Sequence, residues 1–376
     1  MRMLLFFLLT CCNLSISLAG AQPPGTDDSI MNIKTKWKKI AGTDIPDPSI
    51  PKNSYPLIHK KLEQVAGCFK QAYPVPTGTE ASWYGNIRQA PIYKDAPAPY
   101  SFWSLYKFYY YNKNYKKIIL GDETGTWAYV FVNYFNWLLV YAGLDASING
   151  LSKKIWQLPK QLPGDWQGYT VYEPYTHPNA RAVVITKDGK RPWKALTRLE
   201  YLQALRAKRE AESSKMSSDF DAGIAKSRQL IEDIRNRKNL SPDIKNKMIA
   251  ASQEQLEKMI VSRENLVKTV TIQLDKDLAV IDAYLKSHSA SELEAPAVLN
   301  RFKDFLYHKR FEDPGHKDAA PLAYIDQVYF NKAVPAYEPQ FMVLYWRWND
   351  NAPGNYFNQQ IQANFPLEKL KAMLKN

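Results

Sequence analysis

Apolar and polar positions keep different rhythms along this chain. Between Thr126 and Asn133 they alternate, with Trp127, Tyr129 and Phe131 on one side and Ala128, Val130 and Val132 on the other. A period of two marks a strand. Two apolar runs precede it, Tyr100–Tyr111 and Tyr115–Leu120, and turn-forming residues at Asn112–Asn114 and Gly121–Gly125 separate the three. This predicts a meander of antiparallel strands with both faces largely covered. Ala180–Thr186 and Pro339–Trp348 read as further strands, the first closed by a turn at Lys187–Lys190.

A second rhythm takes over at 197–287. This stretch holds one Pro and one Gly, and its apolar residues recur in steps of three and four: Leu199, Leu202, Leu205, then Phe220, Ile224, Ile231 and Ile234. Thr197 and Glu200 have capping-box spacing. Ser241 before Pro242 is a helix start, after which the pattern resumes at Ile244, Met248, Leu256 and onward to Leu285. Two long helices therefore turn near Asn239–Pro242. Arms of about 40 residues would each be about 60 Å long. That outreaches a small domain, so part of the hairpin is expected to pair with itself as an antiparallel coiled coil.

Elsewhere the texture is mixed. Residues 1–21 carry Arg2, an apolar run from Met3 to Leu9 and Ala19-Gly20-Ala21, the grammar of a secretory signal cleaved after Ala21. A lipid anchor at Cys11 or Cys12 is the rival reading. Secretion or a periplasmic location follows as the expectation. Residues 22–55 form a Pro-rich leader with a short helix around Met31–Ile40, and 56–72 an amphipathic helix. In 288–376, Leu299–Phe311 reads as a short amphipathic helix and Leu367–Leu374 as a closing one. The expected fold is α+β: an aromatic-rich antiparallel sheet domain built from 56–196 and 288–376, with 197–287 inserted as the hairpin.

Composition sharpens two points. Of the 38 residues from Tyr100 to Trp137, 15 are aromatic. Filling a core is the simpler use for them. A groove for sugar rings or a partner is the other use, and Tyr109, Tyr111, Trp127 and Tyr129 are the candidate ligand-binding residues. The net charge of +13 becomes +12 without Arg2, and Lys187–Lys286 supplies half of it with 21 basic and 15 acidic residues. The signs are interspersed, as on a solvated helical face, so nucleic acid is not expected as a partner. Anionic envelope polymers or lipid head groups fit better.

Catalytic grammar is sparse. The chain has no G-x-S-x-G, Walker A or G-x-G-x-x-G run, and no cofactor is expected. His308, Glu312 and His316 are spaced four apart, which would place them on one face of a continuous helix as candidate metal ligands, but Pro314-Gly315 interrupts it. Asp122, Glu123, Asp165 and Glu173 are the carboxylates a polymer hydrolase would need to gather. Cys68, the one cysteine outside the signal, lies on an apolar helical face and reads as a buried thiol.

Three segments carry a resemblance. ARAVVITKDGKRPW with TRLEYLQA (180–193 and 197–204), VYFNKAVPAYEPQFMVLYW (328–346) and the opening texture of Leu57–Tyr84 resemble segments of uncharacterised secreted bacterial proteins. The resemblance implies export and a single unit formed by head and tail; it transfers no catalytic residue. The expected function is non-catalytic binding or scaffolding in the periplasm or cell envelope. The hairpin would contact a protein, an anionic polymer or a second copy. The alternative is an envelope hydrolase acting on sugar or peptide polymers. No apolar run outside the signal is long enough to cross a membrane.

Overall fold

The structure, a computed structural model, describes residues 25–42, 50–87, 91, 93, 96–122, 125–135, 137–175 and 177–375. The expected signal, its cleavage point at Ala21, and Glu123 lie outside these residues.

Helix α1 (Thr26–Met31) opens the described chain, followed by the two-residue strand β1 (Lys38–Lys39). The helix expected around Met31–Ile40 does not form. That stretch runs extended, because β1 pairs in parallel with β2 (Thr79–Asn86) and Trp37 donates its indole N–H to the Tyr73 carbonyl at 2.8 Å. Between them, α2 (Tyr55–Ala72) buries Ile58, Leu62, Val65, Cys68 and Phe69 on one face. The Cys68 thiol is free, and burial raises its pKa, as expected of an inert core residue.

The aromatic stretch forms β3 (Tyr100–Asn112), β4 (Lys117–Leu120) and β5 (Thr126–Val132), the three runs read from the sequence. Their arrangement is not a simple meander. The outer end of β3 pairs with β4 through Tyr109↔Leu120, and its inner end pairs with β5 through Trp103↔Tyr129. β4 and β5 are thus one broken strand along the same edge of β3.

Two hairpins follow: β6 (Val140–Ile148) with β7 (Leu151–Gln157), and β8 (Lys160–Trp166) with β9 (Tyr169–Glu173). Each turns through two residues with positive φ, Asn149-Gly150 at 52° and 73° and Gln167-Gly168 at 53° and 79°. That is the turn whose twist matches paired strands, and Asn-Gly is its strongest sequence signal. β10 (Ala180–Thr186) and β11 (Trp193–Ala195) complete the first half.

The chain then leaves the sheets as α3 (Arg198–Asn236) and α4 (Pro242–Ser287). Thr197 Oγ1 accepts from Glu200 N at 3.1 Å while Glu200 Oε2 accepts from Thr197 N at 2.8 Å, the capping box foreseen from spacing. We expect Thr197→Ala to cost about 1 kcal/mol in urea unfolding, because the Glu200 backbone N–H loses its acceptor.

The return path is α5 (Ala290–Leu293), β12 (Val298–Asn300), α6 (Phe305–His308), β13 (Ala319–Ile325), β14 (Phe341–Arg347), α7 (Ala352–Asn364) and α8 (Leu367–Lys371). The helix expected over Leu299–Phe311 is overturned. Its start is drawn into pairing with β13, and only one turn of helix survives, capped by Asp304 and ended by Lys309 at φ 58°.

Two sheets result. The larger has the order β1-β2-β3-β5-β14-β10-β9-β8, and the smaller β11-β13-β7-β6 with β12 beside β13. All pairings except β1–β2 are antiparallel. β14, from the end of the chain, lies between β5 and β10, and β13 joins β11 to β7.

Three cores stack the layers. Ala128, Val130 and Val132 face a core shared with α2, α7 and α8. Tyr129 and Phe131 face a second core between the sheets, with Trp193, Ala323 and Ile325 from the smaller one. Ala146, Ile155 and Leu322 on the far side of the smaller sheet pack under Leu202, Leu205, Ile281 and Tyr284 at the base of the helical hairpin. The order is helices, large sheet, small sheet, helical hairpin. Among the described residues, no helix is long and apolar enough to cross a membrane.

Candidate binding surfaces

The strand pairings line up one row of rings. Tyr84 lies opposite Trp103, Trp103 opposite Tyr129, and Tyr129 opposite Tyr345, so aromatic side chains from β2, β3, β5 and β14 stand side by side. Their ring centres are 5.8, 4.3 and 5.9 Å apart. Trp137 closes over the row, 5.8 Å from Trp103, 4.8 Å from Tyr129 and 5.7 Å from Tyr345. Edge-to-face pairs of this kind add to the apolar burial. Tyr129 is only 2% exposed, and burial holds its phenol well above the usual range. It is a core residue and cannot stack on a ligand.

The other sequence candidates sit apart from it. Trp127 is half-buried beneath the Arg347 guanidinium, 4.4 Å from its ring centre, which spends its face on a cation–π contact within the chain. Tyr109 and Tyr111 are half-buried on the outer end of β3, whereas Tyr110, on the opposite face, is 42% exposed. The aromatic band is mainly a closed core.

Of the nominated carboxylates, the three that are described do not converge. Glu173 lies opposite Lys160 and pairs with Arg181 at 3.4 Å. Asp165 sits at the other end of the same hairpin, opposite Thr170 and about 10 Å away along the strand. Asp122 is exposed in the connection from β4 to β5. His177 accepts a hydrogen bond from Asn179 N at 3.1 Å, and burial, reinforced by the Arg347 charge, lowers its pKa.

The histidines behave likewise. α6 ends at His308, so Glu312 and His316 leave its face. Glu312 accepts from Asn300 Nδ2 at 2.9 Å, and His316 Nδ1 accepts from Asp318 N at 3.1 Å. Among the described residues no group of three metal-binding side chains gathers.

The helical hairpin is the largest projecting surface. Its base is held by Tyr201, Leu202 and Leu205 of α3 and Ile281 and Tyr284 of α4. Asp277 closes the base: it is buried, takes a hydrogen bond from Gln273 at 2.7 Å and lies 3.4 Å from Arg209 Nε. Beyond it the helices pack along a seam, with Ser213, Ser217, Phe220, Ile224, Ser227, Ile231 and Ile234 sheltered on α3, and Ile249, Ser252, Leu256, Met259, Arg263, Leu266 and Val270 on α4. Steps of four and three average 3.5, the repeat of a left-handed coiled coil. The arm from Arg209 to the turn is about 45 Å long at 1.5 Å per residue.

The seam is poor in large apolar residues. Beyond the base, only Ile224, Ile231 and Ile234 are fully buried among the described arm residues. Met216, Leu230, Ile244, Met248, Val261 and Ile272 remain 37–56% exposed. Met216, Leu230 and Met248 each precede a seam position by one residue. In an antiparallel pair such flanking positions on the two helices fall on one face. Ile244 lies one turn from Met248 and extends the strip toward the tip.

Comparison with known protein families, curated proteins and solved structures finds no match to this chain.

Proposed function

We propose that the chain is an exported, non-catalytic binding or scaffolding protein that assembles in pairs through its projecting arm. The observation that carries this is the strip of Met216, Leu230, Ile244 and Met248 on one flank of a coiled coil whose own seam is thin. Apolar side chains left beside a weak seam gain most from a second arm laid along them. A face about 45 Å long and two helices wide offers on the order of 900 Å² per copy, the size of a stable interface. A two-fold contact presents the same strip from each copy.

The charges favour a second arm over a polyanion. Many arm cations already face carboxylates on the arm itself: Lys208 and Arg209 beside Glu212, Arg235 beside Glu232, Lys258 beside Glu254, and Arg263 beside Asp221 at 2.7 Å. From Arg209 to Lys276 the arm carries 13 basic and 11 acidic residues, so its net charge offers little to draw in a polyanion.

Light scattering during gel filtration tests the reading. The chain should elute with twice its monomer mass, and Leu230→Glu with Met248→Glu should convert it to monomer without changing its circular dichroism. A wild-type chain that is monomeric at tens of micromolar, or a double variant that stays dimeric, would sink the proposal.

A further inference from the structure

Two cavities open at the margin of the gap between the sheets. One, of about 310 Å³, is lined by Thr170, Thr186, Lys190, Glu368 and Lys371 among others. The second, of about 430 Å³, is walled by Leu158, Ala195, Pro296, Ala319, Pro321 and Leu322 among others. Tyr172, Arg191 and Trp193 line both, so the cavities meet there. Each is within the usual size of a small-molecule site.

The lobes differ in chemistry. The first is lined by hydroxyls and charged groups, the second mainly by aliphatic side chains and prolines. Arg191 stands at the waist, lining both lobes together with the buried Tyr172 and Trp193. Lys160 lies in the wall of the apolar lobe. Neither Arg191 nor Lys160 has a carboxylate partner among the described residues. Lys371 rests 5.9 Å from the Tyr169 ring. The acidic groups nearby are already engaged: Glu368 accepts the Tyr169 hydroxyl at 2.8 Å, and Asp188 pairs with Lys190 at 3.1 Å. His316, offered by the sequence as a metal ligand, lines the apolar lobe instead.

We infer that this groove binds an anionic amphiphile, with its acidic head at Arg191 and its apolar part in the lobe beneath Trp193. Unpaired cations at the mouth of an aliphatic cavity favour a ligand that joins the two properties. A charged head gains charge-assisted hydrogen bonds, and an apolar tail gains by leaving water. A free inorganic anion would use only the waist. A neutral amphiphile would use only the lobe. The site lies apart from the arm, so its occupancy does not depend on pairing.

Calorimetric titration of the whole chain with dodecyl phosphate below its micelle concentration tests this. Binding is expected with one site per chain. Arg191→Ala should weaken it about tenfold or more, since the head loses its charge-assisted hydrogen bonds. Ala195→Trp, at an exposed position lining the apolar lobe, should weaken it comparably while leaving the fold intact. Dodecyl maltoside and inorganic phosphate should each bind far more weakly. Equal affinity for the maltoside, equal affinity for phosphate, or indifference to both substitutions would overturn the inference.

Discussion

Replacing residues 210–276 by a short glycine-containing turn is expected to leave a folded body that elutes as a monomer. The base of the hairpin, not its length, joins it to the sheets: Tyr201, Leu202, Leu205, Ile281 and Tyr284 all lie outside the excised segment and keep their buried neighbours. The excised part packs on itself, so its removal exposes little of the body. The Arg209–Asp277 pair remains at the cut, and Asp277 loses only Gln273. Near-ultraviolet circular dichroism should retain the aromatic signal of the sheet cores, while the helical signal falls and the dimer disappears. An insoluble or molten product would show that the arm is needed to form the body. A dimeric product would place pairing elsewhere.

The second large effect is expected at Tyr129. Its ring lies within 6.3 Å of Trp103, Trp127, Phe131, Trp137 and Tyr345, centre to centre. Tyr129→Ala should cost about 3–5 kcal/mol, because removing a large ring from a close-packed site forfeits its transfer energy and leaves a cavity. Five rings from four chain segments cannot collapse together into the gap. Denaturant unfolding followed by tryptophan fluorescence measures the loss. A change below about 1 kcal/mol would mean that the row is far looser than its geometry. Tyr110→Ala, on the exposed outer end of β3, should cost much less.

Both predictions rest on features of unequal legibility. The alternation in β5 named which residues share a face, and Ala128, Val130 and Val132 do enter a different core from Tyr129 and Phe131. The capping box at Thr197 and the turn before Pro242 were equally readable, because caps and helix starts are local chemistry. The hairpins β6–β7 and β8–β9 escaped a reading based on apolar period. Their exposed positions mix polar residues with Val140, Tyr141 and Leu151, which blurs any alternation, and Pro163 and Gly164 interrupt β8. Asn149-Gly150 was the signal that could have found the first. The expected Leu299–Phe311 helix failed because pairing with β13 recruited its first residues, a tertiary demand that outweighs helix propensity.

The candidate sites show the same division. The sequence marked Tyr129 as a ring on a face, and only the covering layer made it core. It marked His316 as a spaced donor, and only the fold set it in the wall of a groove with Arg191. Nothing in the chain order joins Lys160, Arg191, Pro321 and Lys371, which come from four separate elements or connections.

By itself, then, the sequence determined the elements with strong local periods: the aromatic strands, the long helical hairpin and the buried face around Cys68. Tertiary structure decided the insertion of β14 between β5 and β10, the stacking of two sheets, and which aromatic rings are sealed from water. The reason is physical. A period along the chain specifies that a face must be covered, whereas its covering comes from residues far away in sequence, and a groove is the space they leave unfilled.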